Sequence, residues 1–489
     1  MNFRKVLPAV FALAAFALVA CSNDSSSSPA DGGKDSAVET PDQKRDPDYL
    51  YDLDAVPEIT ITVTEDNWNE FLENFDKDKD NTLYVPAKWT FKKGKDVYER
   101  DSVGLRPRGN WSRVRPEGKA GEKHKKKNAD WHHAHFGIKF TKYESGERFF
   151  GSDRLVLKWF HGDPSYAREI FCYDLFRRFG VWSVPRSSYA RLTLQVEGDE
   201  KPAYYGVYEI IEGVRKGWLK DRMKAGYIPD NEGFMWKAAY TDLGPANLSD
   251  FDSTGTSKMG VGVSEENFSF PYTLKTNKTE LAAAQNELFD FMENMRPLKD
   301  SSDELKEYLE KHMDVDLFVR SMAVDAVVGV WDNYWVNSNN YYFYFDKNHK
   351  FYFIPYDYDN TLGTTKPIQN IENAGTQDPL NYGSMGEDRM LIKKVFSIKE
   401  YADSYKDYLK ELVTSKDLME PDAAMERMKG FQDLIKDYVE NDTGEDMVVE
   451  DKSRIGESTI DYKLFSGDDK GGDGSNYFRT KARVVREKE

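Results

Sequence analysis

Asp332, Asn337 and Asp357 have the residue types and the order that phosphoryl chemistry needs. Asp332 and Asn337 stand five residues apart, just after a helix-like run that ends in Val330-Trp331-Asp332. Two aromatic, strand-like runs follow at 340–345 and 350–354, and the second leads straight into Tyr356-Asp357-Tyr358-Asp359. Phosphoryl transfer needs a carboxylate to orient the attacking hydroxyl and hard oxygen ligands to hold a divalent cation against the phosphates. A short hairpin between two loops brings their carboxylates together, which gives Asp332 the part of base and Asn337 and Asp357 the part of ligands. The same residues also suit a helix cap and a surface turn, and spacing alone does not choose between the two.

The elements that must position these groups read as sheet first and helices second. Strands are predicted at 58–63, where EITITV alternates, and at 87–92, 136–140 and 154–159. A hairpin pair is predicted at 188–196 and 204–211. One helix is predicted over 163–180, with Asp163 as cap, Pro164 in the first turn and an apolar stripe of Ile170, Phe171, Leu175, Phe176 and Phe179. Helices are expected in the second half at 277–294, opened by Asn277 and Glu280, and at 302–312, 315–330 and 398–439. The fold class expected is therefore α+β, with a sheet-rich lobe over 48–240, a helical lobe over 241–440 and an extension over 441–489.

Composition bounds the function. The 489 residues carry 68 Lys and Arg against 85 Asp and Glu, a net charge of −17, which argues against a nucleic-acid partner. An aromatic share of 14% argues against disorder for most of the chain, and two cysteines cannot build a disulfide framework or a four-cysteine zinc site. Arg4 and Lys5 precede an apolar run over 7–20 that is too short for an ordinary membrane span. That segment, 1–20, ends Leu18-Val19-Ala20-Cys21, which resembles a bacterial lipobox. The resemblance implies lipidation of Cys21, a membrane anchor, and a place in the bacterial cell envelope, with Ser22 favouring the outer membrane. Residues 21–47 then read as a flexible tether, and Cys172, in an apolar setting, as core.

Several stretches together resemble the spore-coat CotH kinase-like family: GLRPRGNWSR over 104–113, LVLKW over 155–159, DPSYARE over 163–169, YGVYEIIE over 205–212, Trp331-Asp332 and IPYDYDN over 354–360. The resemblance implies an atypical, two-lobed protein-kinase-like fold that phosphorylates serines or threonines of secreted or surface proteins with ATP and Mg²⁺ or Mn²⁺. It makes Asp332 the catalytic aspartate, Asp357 a metal ligand, and Asn337 and Asp359 supporting ligands. Glu169 becomes the partner of a phosphate-binding lysine, for which Lys139 is preferred over Lys158. Glu212 and Lys237 match family positions at the nucleotide cleft or between the lobes.

The chain departs from the kinase pattern in having no G-x-G-x-x-G. Arg106, Arg108 and Asn110 stand where a phosphate-cradling loop would be, as phosphate ligands or as structural ion pairs. The 113–135 segment, with Lys119, Lys123, Lys125, Lys126, Lys127 and three histidines (His132, His133 and His135), reads as a solvated basic loop. Asp76 to Asn81 imitates the start of a calcium loop but lacks its glycine and closing glutamate, so it reads as a turn. A non-catalytic surface, adhesion or coat-assembly protein on the same scaffold is the alternative to an enzyme. Glycoside hydrolysis by paired carboxylates has no motif behind it.

Overall fold

The structure, a computed structural model, describes residues 47–110, 112–144, 148–249, 260–263, 270–363, 374–383, 389–439 and 477–488. The signal segment 1–20, Cys21, nearly all of the tether and residues 441–476 lie outside them.

A short helix α1 (Pro47–Tyr51) leads into β1 (Glu58–Val63), where the alternation of EITITV buries Ile59, Ile61 and Val63. Six further strands follow: β2 (Val85–Lys93), β3 (Asp96–Arg108), β4 (His135–Lys139), β5 (Arg154–Lys158), β6 (Ser187–Val196) and β7 (Ala203–Glu212). They close into a barrel in the order β1-β2-β3-β4-β5-β7-β6, sealed by a parallel pairing of β1 with β6. Closure leaves no free edge and encloses an aromatic core that includes Trp89, Phe91, Phe136 and Tyr205. Helix α2 (Glu65–Lys77) adds Trp68, Phe71 and Leu72 to that core; Thr64 caps it by accepting the Asn67 N–H. Helices α3 (Arg168–Arg178) and α4 (Lys216–Lys224) follow β5 and β7.

The second half builds another sheet from β8 (Phe234–Ala238), β9 (Val261–Gly262), β10 (Tyr272–Leu274), β11 (Tyr341–Phe345) and β12 (Phe351–Pro355), in the order β12-β11-β8-β10-β9. Its helices are α5 (Leu281–Met295), α6 (Asp303–His312), α7 (Val315–Val328), α8 (Met390–Ser397), α9 (Lys399–Thr414), α10 (Pro421–Val439) and α11 (Tyr477–Glu487). YYFYF on β11 and FYFIP on β12 are buried at every position, so this sheet is covered on both faces.

This architecture corrects the expected division into a sheet-rich and a helical lobe of kinase type. The first-half strands form a closed barrel, and the half expected to be helical has a sheet of its own. Its middle strand, β8, comes from the 48–240 range. One apolar cluster runs from Val156 on β5 through α3, β8 and α7 to Val485 on α11, with no break near residue 240. Residues 39–489 make one compact unit.

Local corrections have local causes. Helix α3 starts at Arg168 because Tyr166 is left-handed (φ 56°) and the Asp163 carboxylate accepts the Ser165 and Arg168 N–H groups in a turn. Asn277, also left-handed, donates to the Glu232 and Gly233 carbonyls instead of capping α5. The 398–439 stretch divides into α9 and α10, the latter headed by Pro421. In the 113–135 segment the five lysines are exposed, but Arg115, Glu117, His124, Trp131, His133 and His135 are buried, so it is not a solvated loop throughout.

Candidate functional site

Strand β5 ends in Lys158, whose ammonium gathers three carboxylates. Lys158 Nζ lies 2.5 Å from Glu169 Oε2, 2.5 Å from Asp357 Oδ1 and 3.0 Å from Asp359 Oδ2. Glu169 comes from the first turn of α3, and its other oxygen accepts the Tyr358 N–H at 3.1 Å. Asp357 follows β12 in a left-handed conformation (φ 71°), which costs an L-residue about 1–2 kcal/mol, and donates its N–H to Tyr173 Oη at 3.0 Å. Burial would neutralise Lys158, but Asp357, Asp359 and Glu169 overcome it and hold its pKa well above the ordinary value. Burial likewise opposes the charge on Asp357, where Lys158 prevails and keeps the carboxyl below its usual range. Asp359 goes the other way: burial, with the Asp357 and Glu169 charges, pushes it up to about 7 against the pull of Lys158. Glu209, paired with Lys158 across β7, is pushed well up by burial and by Glu169.

One oxygen each of Glu169, Asp357 and Asp359 lies within 4.8 Å of the others. Three carboxylates around a single ammonium leave an excess of negative charge, and the donors are all hard oxygens. That set fits a divalent cation of the Mg²⁺ or Mn²⁺ kind.

Asp332 is held by amides rather than by a cation. Its Oδ1 accepts from Asn337 Nδ2 (2.6 Å) and Asn339 Nδ2 (3.1 Å), and its Oδ2 from Asn340 Nδ2 (3.0 Å). Ser338 and Asn340 are left-handed, which folds the loop back over Asp332. Beneath it, the fully buried Asp325 of α7 accepts from Asn333 Nδ2 (2.7 Å) and Tyr358 Oη (2.6 Å), tying the Asp332 loop to the Asp357 loop. Burial pushes Asp325 up to about 7.

Both loops face one cavity of about 780 Å³, lined by Lys158, Asp332, Asn337, Asp357 and Asp359. Arg106, Arg108 and Asn110 line it from the end of β3, joined by Arg113, Arg215, Lys237 and Lys275. Cationic side chains therefore outnumber the four carboxylates, which include Asp80, in a protein whose net charge is −17. Opposite Arg106 on β4 stands Gly137, and a Cβ there would meet the Arg106 side chain at 3.4 Å. Arg108 donates to Tyr356 Oη. Burial would raise the Tyr342 phenol, but Lys237, Arg215 and Arg108 bring it down to about 8.

Asp332, Asn337, Asp357, Asp359, Lys158, Arg106, Arg108 and Asn110 are thus brought together, with Glu169 behind Lys158. Lys139 is not: it does not line the cavity, and it pairs across β4 and β5 with Arg154, so the preference for it over Lys158 is corrected. Antiparallel pairing explains the difference: each lysine ends its strand, and β4 and β5 run in opposite directions, so the two stand at opposite ends of the ladder. Glu212 also lies away from the cavity, in ion pairs with Arg186 and Arg222. The three histidines do not converge: His132 and His133 bond the Arg115 and Tyr205 carbonyls, and His135 lines the cavity. Asn339 and Asn340 were not read as functional. The run Asn337-Ser338-Asn339-Asn340 before an aromatic strand was the available signal.

A family model described as "CotH kinase protein" matches residues 105–465. Spore coat protein homolog 1 of Rhizopus delemar is 20% identical over 366 residues, covering 74% of this chain and 51% of that protein. Invasin CotH7 of the same organism is 21% identical over 373 residues, covering 75% and 53%, and Invasin CotH2 is 23% identical over 327 residues, covering 65% and 46%. The chain spans about half the length of the curated relatives it matches. The match begins on β3 and takes in Lys158, Glu169 and the Asp332 and Asp357 loops, so the chain belongs to the CotH kinase protein family.

Proposed function

We propose that this protein is a metal-dependent phosphotransferase that moves the γ-phosphate of ATP to serine or threonine hydroxyls of secreted or surface proteins. The observation that carries the reading is the shared cavity: Lys158, within 2.5 Å of Glu169 and Asp357, faces the amide-clamped Asp332. Lys158 and the arginines of β3 neutralise the phosphate chain. Asp332, fixed by three asparagines, orients the acceptor hydroxyl and takes its proton as the new O–P bond forms and the bond to ADP breaks. Glu169, Asp357 and Asp359, with Asn337 on the facing loop, are the residues that would hold Mg²⁺ or Mn²⁺. The cation would supply charge neutralisation at the phosphates. Lipid attachment at Cys21 to the bacterial cell envelope belongs to the same reading.

The second reading, a non-catalytic surface protein, is favoured by the names of the relatives, a spore coat protein homolog and two invasins. One experiment separates the two. The protein is incubated with labelled ATP, Mg²⁺ or Mn²⁺ and casein-like acceptors beside Asp332→Ala and Asp357→Ala. Label only with the unaltered protein supports transfer. Equal label in all three, or none from a folded protein, leaves the surface reading.

A further inference from the structure

His135 opens β4 and lines the cavity, yet its ring is not fully used by the fold. The residue is 3% exposed, and its Nδ1 accepts the Trp159 N–H at 3.1 Å. A ring nitrogen that accepts carries no proton, so the proton of the neutral imidazole sits on Nε2. Nε2 is itself buried and has no hydrogen-bond partner. A buried donor without an acceptor is unfavourable and calls for an explanation.

Two other histidines serve as controls within the same molecule. His124 has both nitrogens bonded, to Glu117 and to Asp199, each at 2.9 Å. His133 uses Nε2 on the Tyr205 carbonyl, which leaves a bare acceptor rather than a donor, and it does not line the cavity. His135 combines a buried donor that has no acceptor with a place on the cavity wall.

The surroundings suit an anion. Arg108 pairs with His135 across β3 and β4, and Lys158 also lines this cavity. Gly109 passes over the ring edge: a Cβ there would meet His135 Cδ2, the carbon bonded to Nε2, at 3.1 Å and Ser112 Oγ at 3.2 Å. With φ at 105°, that position favours glycine, which leaves the ring edge uncrowded by a side chain.

We infer that His135 is a ligand-contacting residue whose Nε2–H donates to a phosphate oxygen of the bound nucleotide, between Arg108 and Lys158. The inference rests on the phosphotransferase reading and adds to it a neutral donor beside the cations Arg108 and Lys158. A neutral donor fixes direction, whereas the cations supply charge.

The test titrates Mg²⁺-ATP and AMP into the full chain by calorimetry, beside His135→Phe and His135→Gln. In parallel, ¹⁵N spectra of the unaltered protein follow the His135 Nε2–H. The expected results are about a tenfold loss of ATP affinity in His135→Phe, a smaller loss for AMP, and partial recovery in His135→Gln, whose amide can donate. The Nε2 proton resonance should shift on adding ATP and be protected from exchange. Unchanged ATP affinity in His135→Phe, equal losses in Phe and Gln variants, or an unmoved Nε2 signal in saturated protein would overturn the assignment while leaving nucleotide binding intact. Absence of any ATP binding by the unaltered protein would overturn both readings.

Discussion

Two buried charge clusters sit near the rim where β3 and β5 end and β6 turns into β7, and they differ in whether their hydrogen bonds close. Around His124, Glu117 Oε2 accepts from Trp68 Nε1 at 2.7 Å and bonds the ring at 2.9 Å, Oε1 accepts the Lys125 N–H, and Asp199 takes the other ring nitrogen. The histidine side chain is fully buried, and both its nitrogens have partners. Around Lys158 one ammonium serves three carboxylates, with Glu209 behind them, and the cluster faces a cavity. The first cluster joins the 113–135 segment, α2 and the β6–β7 turn, and is architecture. The second carries an excess of anionic oxygen toward solvent, which is how a site awaiting a cation and a polyanion differs from a structural ion pair.

That contrast breaks if the Lys158 cluster proves to be only structural. Asp332→Asn keeps shape and removes the base, and should lower phosphotransfer on the order of 10³-fold with little change in the denaturation midpoint. A comparable loss of stability instead would make the clamp a folding device. Lys158→Met should lower phosphotransfer about 10²- to 10³-fold, and added Mg²⁺ should raise its melting temperature, because the three carboxylates then lack their ammonium. If Mg²⁺ leaves the melting temperature of both proteins unmoved, the oxygen set does not bind it.

His124→Gln should do the reverse: a loss of about 3 kcal/mol in stability with nucleotide affinity unchanged, since a buried charge cluster loses one partner. Its pH dependence has a definite sign. Burial would lower the His124 pKa, but its bonds to Glu117 and Asp199 raise it above the ordinary value. The stabilisation is therefore complete below the unfolded value of about 6.5 and fades as pH rises through the folded pKa. The difference in denaturation midpoint between the unaltered protein and His124→Gln should shrink across that rise. A constant difference would mean that His124 is not charged in the fold.

Much of the barrel was legible: EITITV alternates, and it, the 136–140 and 154–159 runs and the 188–211 hairpin all form strands within a residue or two of their expected bounds. Strands β8 and β10 were not, because FMWKA does not alternate and YTL is only three residues long. Missing them hid the second sheet and produced the two-lobe expectation. Barrel closure was equally invisible, since the parallel β1–β6 pairing joins residues about 130 apart in the chain. The order of Asp332, Asn337 and Asp357 was legible but suited a cap and a turn as well as a site, while the choice between Lys139 and Lys158 depended on strand register, which no spacing gives. The role of His124 went unread because its partners, Glu117 and Asp199, meet only after the barrel closes.

The smallest effects sharpen the contrast within the site itself. Asn340 Nδ2 is one of three amide donors to the Asp332 carboxylate and the sole one of them on Oδ2, while Asn337 and Asn339 share Oδ1. Asn340→Gly keeps the left-handed backbone that φ 52° requires and removes both bonds of Nδ2, to Asp332 Oδ2 and to the Asp332 carbonyl at 3.1 Å. It should lower kcat about tenfold, the value of one hydrogen bond to a charged group, with the ATP KM unmoved because the clamp orients a base rather than a phosphate. Lys139→Ala, on the neighbouring strand and off the cavity, should change kcat by less than about twofold. If the two variants lose activity equally, the amide clamp has no special part in holding Asp332, and its oxygens owe their direction to the loop backbone alone.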